Sequence, residues 1–267
     1  MPLKLGTQDV TLKLGSQDVT AYLGAEEVSA LDPTSIEGLV GWYDSLDLTA
    51  MAQNSDGTGA VAVGDQVGYW ADKSGGGNHV TQATAANRPT LTANKVNGKA
   101  ALTWDGSNDN LSKSAYTAQN SLSGLTRIFV FSCANQVSWI SRVFDGGGNG
   151  ITVNGNLRLY ADNTNYSGFV PTGSSSNAMP LGIYSAVYAN SSMVLRQDGV
   201  SVAVTNTVGT IPATTAAGNP TLHIGSNIGA NQFLNGPIAE YIIYNRGLSD
   251  AELTRVEAYL RKKWGFA

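Results

Sequence analysis

From Gly38 onward, short apolar runs alternate with glycine-rich turns almost to the end of the chain. LVGWYD (39–44), AALTW (100–104), IFVFSC (128–133), IYSAVYA (183–189), MVLRQ (193–197), SVAVT (201–205), TLHIG (221–225) and IAEYIIY (238–244) are rich in Val, Ile, Tyr and Phe, the residues that suit a pleated, half-buried surface. Between them lie Gly75-Gly76-Gly77, Gly146-Gly147-Gly148 and a Ser/Asn-rich stretch at 172–178. Many short strands joined by glycine turns predict an all-β fold, a sandwich or jelly roll.

One segment departs from this pattern. Ser249 and Glu252 have the spacing of a capping box. Leu253, Val256, Leu260 and Trp264 then recur at helical spacing, and Glu257 and Arg261 have the spacing of a surface i,i+4 pair. Arg261, Lys262 and Lys263 crowd the C-terminal end, where the helix dipole favours cations, and Gly265 is a stop signal. The reading is a C-terminal helix that packs its apolar stripe on the sandwich.

The N-terminus carries a different pattern again. LKLGTQDV (3–10), LKLGSQDV (12–19) and AYLGAEEV (21–28) repeat one nine-residue phrase. Leu5, Leu14 and Leu23 share one phase; Gly6, Gly15 and Gly24 the next; Val10, Val19 and Val28 close each copy. The phrase reads as strand, glycine turn, strand. So short a repeat cannot bury its own apolar residues and must stack on a neighbour or another chain. The expected organisation is an assembly arm at 1–30, a linker at 31–37 containing Pro33, and a β-sandwich at 38–267. The last is long enough for one large core.

Composition narrows the function. Charged residues are 13% of the chain, against about 25% in an average domain, so Ser, Thr, Asn and Gly must supply the polar surface. A net charge of −4 without a basic stripe argues against nucleic acid as a partner. The one cysteine, Cys133, lies in an apolar run and reads as a buried inert thiol, which suits assembly in a reducing cytosol. Met1 leads directly into the polar repeat with no apolar leader, and no run reaches the ~20 residues of a membrane helix. The expectation is a protein made in a host cytoplasm and released within a finished particle, with no membrane insertion.

Four phrases carry a family resemblance. GLVGWYDSLDL (38–48), WADKSGGGNHVTQ (70–82), NGKAALTWDGSNDNL (97–111) and the closing strand and helix at 222–265 resemble the concanavalin A-like lectin and laminin G-like superfamily. The resemblance implies a jelly-roll sandwich; it does not fix function, because this fold hosts lectins, adhesins, hydrolases and structural modules. The tandem Leu-Gly-x-x-x-Val phrases resemble the N-terminal segments of bacteriophage virion proteins, including tail and head fibres.

The chemistry-bearing residues are few. A glucanase of this superfamily would carry Glu-x-Asp-x-x-Glu or a close variant on one strand, placing an acid/base and a nucleophile on one face. Here Glu240 is followed at i+2 and i+4 by Ile242 and Tyr244, and Glu252 and Glu257 belong to the helix. His79 and His223 have no partner at metal-ligand spacing and read as structural hydrogen-bonding residues. No cofactor is expected. Calcium is the metal that the loop Asp105-Gly106-Ser107-Asn108-Asp109-Asn110 would suit, through Asp105 and Asp109, although the same residues are ordinary turn formers. A glycan would need aromatic platforms beside amides; Trp139, Tyr160, Tyr166 and Phe169, with Asn163 and Asn165, offer that chemistry, and Tyr160, Asn163 and Tyr166 are the expected contacts, while 158–169 also reads as a hairpin whose aromatics pack on the core.

The expected function is therefore a non-enzymatic virion component, a tail fibre, head fibre or decoration protein. Its arm would dock on other virion proteins and its sandwich would face outward toward a host-surface glycan, as a homo-oligomer with a trimer first. A cellular carbohydrate-binding adhesin and a polysaccharide-degrading enzyme are the alternatives.

Overall fold

The computed structural model describes residues 10–14, 17–21, 32–118, 122–134, 138–143, 150–153, 157–160, 166–169, 178–189, 191–203, 206–210, 212–215, 221–226 and 232–267. Two antiparallel sheets pack face to face. The first has eight strands. From one edge inward it runs Val200–Val202, Ser192–Gln197, Met179–Ala189, Gly124–Cys133 and Asn235–Tyr244. Beyond these lie Lys99–Asp105 and Thr90–Val96, while Leu39–Asp44 pairs with the second half of Asn235–Tyr244. The second has ten strands, among them Tyr166–Phe169, Leu157–Tyr160, Gly150–Val153, Ser138–Val143, Leu222–Ile224, Leu111–Lys113, Val80–Thr81 and Tyr69–Trp70 in that spatial order.

Side chains from the two inner faces fill the core. Tyr43, Trp70, Trp104, Phe129, Phe131 and Tyr241 are fully buried there, and the rings of Phe129 and Tyr241 stack with centroids 4.0 Å apart. Truncating one such aromatic to alanine costs about 3–5 kcal/mol. Cys133 lies in the same core, as expected of an inert thiol. Gly225 is required by close approach as well as by its φ of +85°: a Cβ there would sit 2.0 Å from Trp104 Nε1.

The helix occupies Asp250–Trp264 with the expected caps. Ser249 N–H donates to Glu252 Oε2 at 2.9 Å, Glu252 N–H returns to Ser249 Oγ, and Gly265 ends the helix in the left-handed conformation. The Arg246 guanidinium, with the capping hydrogen bonds, holds the Glu252 carboxyl down at about 2. Leu253, Val256, Leu260 and Trp264 pack on Ile128, Val130, Ile183 and Ile242. The first sheet is therefore covered on both faces. This explains why Gly124–Cys133 and Asn235–Tyr244 are buried almost continuously instead of in alternation.

Several details differ from the sequence reading. Glu257 does not form a surface pair with Arg261: it is buried, receives Ser185 Oγ–H at 2.7 Å and faces Arg196 Nη2 at 3.0 Å. Residue 257 lies four residues after Leu253 and three before Leu260, on the flank of the apolar stripe, so partners on the sheet draw it inward. The run expected at 201–205 contributes the strand Val200–Val202. Strands also form where none was expected, at Tyr69–Trp70, Val80–Thr81, Thr90–Val96, Leu111–Lys113 and Ser138–Val143, while Leu157–Tyr160 and Tyr166–Phe169 form the hairpin that 158–169 suggested. Of the linker expected at 31–37, residues 32–37 pack on the sandwich: Pro33–Ser35 is a 3₁₀ turn, Tyr244 Oη–H donates to Pro33 O at 3.0 Å, and Ile36 is buried with the helix-side cluster.

In the arm, Val10–Leu14 and Gln17–Ala21 form an antiparallel hairpin that is a sheet of its own. Its register pairs Val10 with Ala21, Leu12 with Val19 and Leu14 with Gln17. Val10, Leu14 and Val19 thus fall on strands, while Leu5, Gly6, Gly15, Leu23, Gly24 and Val28 lie outside the described residues. No described helix is long and apolar enough to cross a membrane.

Candidate binding face of the ten-stranded sheet

In the strands Tyr69–Trp70, Val80–Thr81, Leu111–Lys113 and Leu222–Ile224 of the ten-stranded sheet, fully buried residues sit beside half-buried ones. Trp70, Val80, Leu111, Leu222 and Ile224 are fully buried in the core, so their neighbours Tyr69, Thr81, Ser112 and His223 belong to the opposite face, away from the helix. The register aligns those neighbours in one row across the strands. Tyr69 pairs with Thr81, Thr81 with Ser112, Ser112 with His223 and His223 with Arg142. The row continues through Gly150 and Tyr160 to Tyr166. At about 4.8 Å per strand it is about 34 Å long. The two tyrosines expected to contact a glycan therefore sit opposite each other at the far end of this row, on the hairpin Leu157–Tyr160 and Tyr166–Phe169; Asn163 lies outside the described residues.

At the near end the face hollows into a cleft of about 380 Å³ bordered by Tyr69, His79, Thr81, Ser112, Lys113 and Thr221. The WADKSGGGNHVTQ phrase builds its rim. Asp72 Oδ1 accepts the N–H groups of Trp42 and Ser74, and Oδ2 accepts that of Asn78, each within 3.0 Å. Asn78 is held in turn by its Nδ2–H donating to Val40 O and its carbonyl accepting the Tyr43 hydroxyl. Asp72 N–H then donates to His79 Nδ1 at 3.0 Å, which assigns the imidazole proton to Nε2. The imidazole lies against Tyr69 with ring centroids 5.3 Å apart. His79 is thus a structural histidine on its Nδ1 side, as the sequence suggested, and leaves Nε2–H without a hydrogen bond to any described residue.

The other polar groups of the cleft are equally uncommitted. The Tyr69, Thr81, Ser112, Ser114 and Thr221 hydroxyls and the Lys113 ammonium make no hydrogen bond or ion pair with a described residue. Burial raises the Tyr69 phenol above its ordinary value, so it remains a donor. No local sequence signal marks this cleft, because its parts come from four separate segments and meet only through cross-strand register.

The carboxylates are placed elsewhere. Glu240, on the helix side, accepts from Trp42 Nε1–H (2.7 Å), Trp264 Nε1–H (2.6 Å) and Lys263 Nζ (2.7 Å). Burial pushes its carboxyl up, opposed chiefly by Lys263. Lys263 also reaches Asp44 at 2.8 Å, and Lys73 bridges Asp44 and Asp47 at 2.9 and 2.8 Å. Asp105 and Asp109 lie where the chain crosses between sheets. Asp105 Oδ1 accepts from Ser107 and Asn108 N–H, and Asp109 Oδ2 accepts from Asp105 N–H at 3.1 Å. Burial, reinforced by the Asp105 charge, pushes Asp109 up to about 7. Asn108 Oδ1 is buried with no partner. These oxygens match calcium in kind but fall short of its usual six to eight ligands, and no group of three His, Cys, Asp or Glu that could hold a metal occurs among the described residues.

Two antiparallel sheets in a jelly-roll sandwich, one backed by a helix and one open, define a lectin-like class of β domain. The chain belongs to the concanavalin A-like lectin/glucanases superfamily, whose laminin G-like model matches residues 92–254. No curated protein sequence matches it. Among solved structures it is similar to an arabinofuranosidase complexed with arabinofuranosyl-α-1,2-xylobiose (TM-score 0.58, 13% identity, 86% of this chain and 64% of that one). It is also similar to a GH54 α-L-arabinofuranosidase (0.56, 12%, 86% and 65%) and to the binding domain of Paraclostridial Mosquitocidal Protein 1 (0.53, 14%, 85% and 52%). The chain spans less than two thirds of the length of each of these structures. At such identities the likeness is one of fold.

Proposed function

We propose that this chain is a non-enzymatic structural component of a virion, a fibre or decoration protein whose arm docks into the particle and whose sandwich presents its open face to a host-surface glycan. The observation that carries this reading is the arm hairpin, which joins neither sheet of the sandwich. Its register puts Val10, Leu12, Leu14, Gln17, Val19 and Ala21 in one, mostly apolar, set of alternating positions and Thr11, Lys13, Asp18 and Thr20 in the other. A two-stranded ribbon with an apolar side is marginal alone and is stabilised by a partner. The open face supports the glycan half, since it supplies aromatic and hydroxyl groups with no other use in the described structure. Against hydrolysis stands the disposition of acids. Asp44, Asp47 and Glu240 are tied to lysines on the helix side, and Asp105 and Asp109 sit in a sheet-crossing loop. Neither set provides a carboxylate pair on the open face. If calcium binds, Asp105, Asn108 and Asp109 are its ligands here, and its role is to neutralise that loop.

Deleting residues 1–30 tests the docking half. The truncated protein is expected to keep its melting transition, to lose the trimeric mass of the full chain in light scattering, and to disappear from assembled particles. A truncated protein that still incorporates normally would refute the proposal.

A further inference from the structure

The cleft at the near end of the open face has a one-sided chemistry. Tyr69, His79 Nε2–H, Lys113 and four hydroxyls (Thr81, Ser112, Ser114 and Thr221) border it, and among the described residues no carboxylate or amide side chain does. A site for a neutral sugar needs strong acceptors for the sugar hydroxyls as well as donors. This one offers hydroxyls, which both donate and accept, and one ammonium, but among the described residues no anionic acceptor, so the group that balances its charge must come from the ligand. Among the described residues Lys113 is the only charged group at its border; it is in register with the core residue Leu222 and lies at the end of its strand, and the described structure gives it no counter-ion. The Tyr69–His79 ring pair adds an apolar wall, and the volume of about 380 Å³ lies at the small end of the about 300–1,000 Å³ typical of ligand sites.

We propose that this cleft binds an acidic saccharide, one whose ring lies on Tyr69 and His79 and whose carboxylate accepts from Lys113, Ser112 and the neighbouring hydroxyls. This rests on the glycan-binding half of the reading above and names its ligand class. The charge-assisted contact from Lys113 supplies the discrimination, because a hydroxymethyl group in place of the carboxylate leaves the ammonium unpaired.

The test uses the full chain and calorimetric titration with methyl β-D-glucuronide, methyl β-D-glucoside, the methyl glycoside of N-acetylneuraminic acid, and sodium acetate. At least one acidic glycoside is expected to bind at least about tenfold more tightly than both the glucoside and acetate, a difference of about 1.4 kcal/mol. Lys113→Met should erase that preference, and Tyr69→Ala should abolish binding, both with unchanged melting temperatures. Ser112→Ala, a smaller change, should weaken the acidic glycoside alone. Equal binding of glucoside and glucuronide, lost in Tyr69→Ala, would sink the acidic class and leave glycan recognition standing. Acetate binding as tightly as the acidic glycosides would make this a bare anion site and overturn the proposal. Binding of none of the probes would overturn both the acidic class and the glycan half, and leave the docking half to the truncation test.

Discussion

On the helix side of the sandwich, one carboxylate, Glu240, receives two indole N–H groups and a lysine, and that lysine also holds Asp44. On the other side, Tyr69, Thr81, Ser112 and Lys113 give none of their side-chain polar atoms to a described residue. Both faces belong to the same pair of sheets, and both carry aromatics and charges. The difference is that a helix covers the first, so its polar groups lost water and had to find one another. The second kept its water, and its groups remain available. The satisfied polar residues serve the architecture; those gathered in the hollow are the ones the proposed glycan site uses.

The comparison can be broken most sharply at Lys263. Lys263→Met leaves Glu240 and Asp44 buried without this cation, and the expected loss is about 3–5 kcal/mol in urea unfolding. A loss under about 1 kcal/mol would mean that the network is incidental to the fold.

A smaller effect is expected at the sheet-crossing loop. Asp109 titrates near 7 when folded and near 3.9 when unfolded, so between those values the folded state binds more protons. Stability contributed at low pH is therefore lost as pH rises from about 4 to about 7. Asp109→Asn should flatten that slope and raise stability at pH 8 by about 1 kcal/mol, allowing for solvent screening, with no difference below pH 4. Melting curves across pH check this. Calcium at pH 8 should raise the wild-type midpoint and leave the variant unmoved if the loop is a calcium site.

The smallest effect belongs to the open face. Thr81→Ala and Ser112→Ala should shift unfolding by no more than about 0.5 kcal/mol, as expected for half-buried hydroxyls without partners in the described structure. A cost like that of Lys263→Met would show that this face is structural after all, and would remove the contrast on which its role rests.

The two faces also differ in how far they could be read from sequence. Ser249, Glu252, the Leu253–Trp264 stripe and Gly265 are local signals, and the helix is where they put it. The long strands of the first sheet are apolar throughout because both of their faces are buried, which makes them visible as runs. The strands that build the cleft are only two or three residues long, Tyr69–Trp70, Val80–Thr81 and Leu111–Lys113, and each shows one polar neighbour beside one core residue. Such a segment has no measurable period. Tyr160 and Tyr166 were picked out for their chemistry, but the register that lines them up with Tyr69 is non-local. Glu257 was misassigned for the same reason, since its partners Ser185 and Arg196 lie on distant strands.

The strand Asn235–Tyr244 has a consequence in time. It lies between Gly124–Cys133 on one side and Lys99–Asp105 with Leu39–Asp44 on the other, and the helix that covers this sheet follows it. Every earlier strand of that sheet emerges from the ribosome before the piece that joins them. Leu39–Asp44 waits for a partner about 200 residues downstream, which at about 5–20 residues per second is about 10–40 s of synthesis. The first sheet cannot close until its last strand is made, so the nascent chain spends that interval as unmatched edges, and a mutation that slows the final pairing would act on yield before it acted on the finished fold.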